Sequence, residues 1–195
     1  MALAHLADLS QLLAEVFLEP DADLGEVLAA LASEGLAPAL QAPLRRMLDH
    51  PLAAEDQAVE YTRLFLQARD TDTVHLFESV QARGHHMVPE ILGPLGALYD
   101  EADLSLQEEV SQPPDHLGLE LACLSFLLGQ LVEGDPAEGP RFADLARRLI
   151  REHLSPFVQA VAGQLPQVSA HAYYLAASEL AAALLPEAEK ALAEF

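Results

Sequence analysis

Residues 112–132 read QPPDHLGLELACLSFLLGQLV, and this stretch decides the fold. Leu117, Leu121, Leu124, Leu128 and Leu131 recur at alternating steps of four and three, the spacing that lines one face of an α-helix. Leu119, Phe126 and Leu127 lie off that stripe, so the helix is apolar nearly all round and belongs at the centre of a molecule. A central helix needs other helices to cover it, and the composition supplies them. Leu (38) and Ala (34) make up 72 of the 195 residues, against 16 for Val, Ile and Thr together. Leu and Ala favour helix, whereas β-branched residues fill strands. The expected fold is therefore all-α, and the length suits one domain or two closely packed helical halves.

Working outward, the spacing predicts a first helix from Leu3 to Leu18, with Leu6, Leu9, Leu13, Val16 and Phe17 turned inward. Asp23 can cap a second that stops near Gly35. A third, Ala39 to Leu48, is expected to be interrupted at Pro43, and a fourth runs from Ala54 to Gln67 with Ala58, Tyr61, Phe65 and Leu66 placed for burial. From Ala68 to Val88 the period is lost, which marks a functional segment more often than filler. Pro89 opens a helix to Ala102, and Asp103 to Gln112 reads as the hinge-like stretch before Pro113-Pro114. After the loop Glu133 to Pro140 come Arg141 to His153, then a new start at Ser155-Pro156 running to Leu165. The last run, Ser169 to Leu185, is expected to end where Pro186 separates off a short tail.

Charge and cysteine count exclude several classes. There are 31 acidic and 10 basic residues, a formal net charge of −21. Such a surface repels phosphate backbones and anionic lipid, so nucleic acid and membrane insertion are not expected, and a cationic peptide is the natural partner. One cysteine rules out a disulfide framework within the chain and a cysteine zinc site. Met1 to Phe17 holds two acids and no Lys or Arg, unlike the basic start of a signal peptide. The longest apolar stretch, Leu117 to Val132, is too short to span a bilayer and contains Glu120. The expected location is the cytoplasm.

Asp115-His116 is the sharpest local feature. Read alone, Asp115 sits in the first turn of the central helix, where unpaired N–H groups favour a carboxylate, and the alternative is an acid held at a hinge to receive an arginine. His116 with Glu120, and His85-His86, raise the rival reading of a metal-binding protein or enzyme, but two residues four apart give only two ligands and no HExxH occurs. Cys123 among leucines reads as a small core hydrophobe. Arg141, Arg147, Arg148 and Arg151 read best as an internally ion-paired helix face. No catalytic constellation stands out.

Four segments in order carry a resemblance: EYTRLFL (Glu60 to Leu66), HLFESV (His75 to Val80), QPPDHLGLELACLSFLL (Gln112 to Leu128) and REHLSPF (Arg151 to Phe157). Together, over Val59 to Leu185, they resemble the TorD/DmsD family of redox-enzyme maturation proteins, the chaperones of molybdoenzymes. The resemblance implies an all-helical chaperone, a single domain over residues 1–195 of two packed helical halves joined by a hinge at 103–114, with no reaction and no cofactor of its own. Its partners would be an apo-molybdoenzyme catalytic subunit and that subunit's twin-arginine leader, held back until the client's molybdenum cofactor is inserted. Carried over by position, peptide contact falls to Leu64, Phe65, Phe77, Glu78, Ser79, Asp115 and His116, with Tyr61 and Tyr99 as lesser candidates. Pro114, Gly118 and Glu120 complete the signature and shape the hinge and central helix. Such a hinge is compatible with a monomer or a domain-swapped dimer. The chain departs from the family in having Leu76-Phe77 where a Pro-aromatic pair is common, and in having no Trp.

Overall fold

A computed structural model describes residues 2–18, 23–66, 73–105 and 112–195. Ten α-helices run in order through them: α1 (Ala2–Leu18), α2 (Gly25–Ser33), α3 (Pro38–Asp49), α4 (Ala54–Tyr61), α5 (Glu78–Arg83), α6 (Pro89–Glu101), α7 (Leu117–Glu133), α8 (Gly139–Arg148), α9 (Ser155–Gln164) and α10 (Ala172–Leu192). Among the described residues the single β feature is an isolated antiparallel bridge between Phe77 and His116. The all-α expectation holds, and among the described residues no helix is long and apolar enough to cross a membrane.

The centre is α7, as its pattern requires. It lies along α1, whose stripe of Leu6, Leu9, Leu13, Val16 and Phe17 is buried against it. The two helices approach so closely at Gly118 that a Cβ there would run into Leu18 Cγ and stand 2.9 Å from the carbonyl oxygen of Ala14. Glycine is thus needed for packing, not for a turn. Farther out, α3 packs on α10 and α8 on α7, so elements from both ends of the chain interleave over one apolar core. Within the expected hinge, residues 106–111 lie outside the described residues, as do 67, the expected end of the fourth helix, and 68–72 of the aperiodic segment.

Local chemistry overrides the pattern at several points. Helix α3 passes through Pro43 without a break, and α10 continues through Pro186 to Leu192. Interior proline costs about 3 kcal/mol. In α10 the apolar face runs on past it, with Leu184, Leu185, Ala188 and Leu192 all buried, and that burial holds the helix together. Ser155-Pro156 opens α9 as expected, though Ser155 does not cap it. A π turn, Leu149–Leu154, joins α8 to α9, and Ser155 is itself helical, its N–H bonding to the Ile150 carbonyl five residues back. Because the hydrogen-bond register changes there, the missing N–H of Pro156 falls where the ladder is already shifted.

A second π turn, Thr62–Leu66, ends α4. The extra residue rotates the end of the helix about its axis, so Leu66, expected inside, is 60% exposed. Within the stretch where the period fails, α5 forms a short helix that its sequence does not announce. It ends at Gly84 in the left-handed conformation (φ 77°) that glycine adopts without strain.

Candidate binding site at the junction of α5, α6 and α7

Pro113-Pro114 deliver the chain to Asp115 in a turn closed by the His116 N–H on the Pro113 carbonyl (3.1 Å). From there the backbone pairs with the segment before α5. The Leu117 N–H donates to the Leu76 carbonyl (2.9 Å) and the Glu78 N–H to the Asp115 carbonyl (2.9 Å). The Asp115 side chain turns the same way: its Oδ2 accepts from the Ser79 N–H (3.0 Å) and from Ser79 Oγ (2.5 Å). Asp115 therefore caps α5 across the fold, supplying what α5 lacks locally, since Phe77 at its N-cap has no side-chain acceptor. This corrects the placement of Asp115 in the first turn of the central helix. The cap of α7 is His116, whose Nδ1 accepts from the Gly118 N–H (3.2 Å). Burial lowers the His116 pKa to about 4 against a smaller opposing pull from Asp115, so the ring is neutral and free to accept.

Three carboxyl groups meet behind this bridge. Glu78 is paired with His153 of the π turn (2.9 Å), both buried. Asp115 is 1% exposed and engaged with Ser79. Glu120, 0% exposed, has neither oxygen hydrogen-bonded. Burial first, then the charges of Glu78 and Asp115, push its pKa well above the usual carboxyl range, so it holds its proton. Tyr99 of α6 closes the cluster, donating its hydroxyl to the Pro114 carbonyl (2.9 Å). Burial and then Glu120 also push up the Cys123 thiol, which makes it an inert core group. On the outer side of Tyr99 and Cys123 opens an apolar groove of about 170 Å³, lined further by Leu104, Leu119, Ala122 and Phe126.

The bridge at the PPDH turn, its cross-fold cap and the adjoining groove all fall within a segment shared with known proteins. The model of the nitrate reductase delta subunit family matches residues 19–162. The chain belongs to this family. It is also 31% identical over 162 residues, 81% of its length and 72% of the relative's, to the chlorate reductase assembly chaperone protein of Ideonella dechloratans. The relative's name is that of an assembly chaperone, in line with the redox-enzyme maturation resemblance.

In this family member, Phe77, Glu78, Ser79, Pro114, Asp115, His116, Gly118, Glu120 and Tyr99 come together as one unit. Phe77 is half-buried, its ring edge-on to His116 (5.1 Å) and to His86 (4.9 Å). Leu64 and Phe65 do not join them. They lie in the core, where Phe65 packs edge-on against Phe17, Tyr61 and Tyr174, and Tyr61 donates to the Phe17 carbonyl (2.8 Å). In this structure Leu64 and Phe65 both serve the packing of the core. On that turn it is Leu66 that faces solvent. The rival set of His116, Glu120, His85 and His86 is not assembled: the last two sit on the exposed turn after α5, and no group of three metal-binding side chains occurs among the described residues. Arg141, Arg148 and Arg151 are ion-paired to Asp103 and Glu138, to Glu101 and to Glu189, as expected of a paired face, while Arg147 donates to the Leu192 carbonyl. The groove is a feature that the sequence reading missed. Its signal was present in Leu119 and Phe126, which lie off the core stripe and are half-buried instead of enclosed.

Proposed function

We propose that this chain is a cytoplasmic chaperone for a molybdenum-containing oxidoreductase subunit. It binds the apo form and its twin-arginine leader and supports cofactor insertion before export. The observation that carries this reading is the apolar groove beside the PPDH turn, on a chain of net charge −21. A leader of this class has a cationic front and an apolar core. The acidic surface attracts the first, and Leu119, Ala122 and Phe126 offer the second a place out of water. The name of the relative, an assembly chaperone of chlorate reductase, supports a client of the same broad class. Contact is assigned to the groove and to Phe77, whereas Ser79, Asp115 and His116 hold the bridge that shapes it.

Calorimetric titration tests this with a twin-arginine leader peptide and a copy whose apolar core is replaced by serines. The first should bind and the second should not, and Leu119→Asp should abolish binding while the protein still melts cooperatively. Failure of the leader peptide and of the apo-subunit to bind at all would refute the proposal.

A further inference from the structure

Of the three carboxyl groups behind the PPDH turn, two are satisfied inside the protein and one is not. Asp115 is bonded to Ser79, and Glu78 to His153. Glu120 is fully buried with both oxygens unpartnered, a costly arrangement that nothing in the resting fold requires. It does not stand alone: Tyr99 and Cys123, the groups it acts on electrostatically, are wall residues of the apolar groove. Glu120 thus lies directly behind the surface on which the proposed client's apolar segment would rest.

Resting on that functional reading, we propose that Glu120, and not Asp115, is the carboxyl that takes up a guanidinium of the bound leader, reached from the groove past Tyr99. Of the groove's wall residues, Tyr99 is tethered by one hydrogen bond, from its hydroxyl to the Pro114 carbonyl. A leader seated in the groove can displace this ring and place an arginine against an acceptor with two empty oxygens. Arginine suits the site better than lysine, because its planar fork engages both oxygens at once. None of the groups around Glu120 is hydrogen-bonded to it. Glu78 of α5 and Asp115 before α7 are like charges, Tyr99 of α6 gives its proton to Pro114, and Cys123 on α7 is a weak donor. Of the imidazoles, His153 is committed to Glu78 and His116 is neutral and committed to Gly118.

The step balances simply. The protonated carboxyl of Glu120 meets a cationic guanidinium, a carboxylate–guanidinium pair forms, and the carboxyl proton leaves to buffer. Binding should therefore release a proton to buffer wherever Glu120 is protonated in the free protein.

The test is calorimetry of the full chain with a twin-arginine leader peptide, in two buffers of different ionisation enthalpy. The parent should show proton release, Glu120→Gln should bind roughly ten- to a hundredfold more weakly with none, and both variant and parent should bind a twin-lysine peptide nearly alike. Glu120→Met, which removes the unpartnered carboxyl and refills its space, serves if the glutamine variant is poorly folded, and should likewise release no proton. Binding by the parent without proton release, release that survives in Glu120→Met, or unchanged arginine preference in Glu120→Gln overturns the assignment while leaving the chaperone reading intact. No binding by the parent overturns both.

Discussion

At the scale of the residue, His116 and Glu120 are buried titratable groups with opposite linkage to pH. His116 has a native pKa of about 4 against about 6.5 unfolded, so between those values the unfolded chain binds a proton that the native state refuses. Its contribution is fully present above pH 6.5 and is lost as pH falls towards 4, about 3 kcal/mol over the window. Glu120, raised in the native state, runs the other way, losing stability as pH rises above the ordinary carboxyl range. His116→Asn keeps an acceptor for the Gly118 N–H but does not titrate. Chemical denaturation from pH 7 to 4 should show the variant gaining on the parent by about 3 kcal/mol, with a flat difference above pH 7. Glu120→Gln should diverge from the parent with the opposite slope. Asp115 tests the cross-fold cap. Asp115→Ala removes both bonds to Ser79 and should cost about 2–3 kcal/mol, whereas Asp115→Asn, retaining an acceptor, should cost clearly less. Equal melting of the two variants would mean that Asp115 does not hold α5.

The element scale shows why some of this was legible in the sequence and some was not. Helix α7 was readable because its Leu spacing is itself the physical cause of its burial, and α1 was readable for the same reason. Helix α5 was not, because its N-terminal bonds come from Asp115, thirty-six residues away from Ser79, and no local pattern encodes a cap supplied from elsewhere. Proline misled at positions 43 and 186, where tertiary burial overrides the local penalty. Similarly, Leu66, expected inside together with Phe65, faces solvent because a π turn rotates the helix end, and the sequence carries no mark of it. Two glycines on α7 make the packing argument testable. A Cβ at Gly118 meets the backbone carbonyl of Ala14, which cannot yield, so Gly118→Ala should cost about 2–3 kcal/mol as α1 is forced outward. At Gly129 nothing lies within 4 Å of an added Cβ, so Gly129→Ala should stabilise by roughly 0.5–1 kcal/mol through helix propensity. Thermal melts that rank these variants the other way would contradict the α1–α7 contact.

Charge acts at the scale of the whole molecule, and there the fold and the proposed function pull against each other. A net charge of −21 on 195 residues repels itself, and several of the ten basic side chains are already spent on local pairs such as Arg141 with Asp103 and Arg148 with Glu101. Added salt screens this repulsion and should raise the melting temperature, most steeply below about 0.1 M where the Debye length exceeds 10 Å. The same screening weakens the attraction of a cationic leader, so stability and affinity should move in opposite directions over one salt range. Affinity should not fall to nothing, however, because the apolar core of the leader is held in the groove by burial, which modest salt does not weaken. The expected record is a binding constant that declines as NaCl rises from low to physiological strength and then levels off, while the melting temperature climbs. The level part should disappear in Leu119→Asp, which spoils the groove, and the decline should persist there if any binding remains measurable. Affinity that keeps falling with salt in the parent would show that charge alone holds the peptide, and that the groove between α6 and α7 is not its seat.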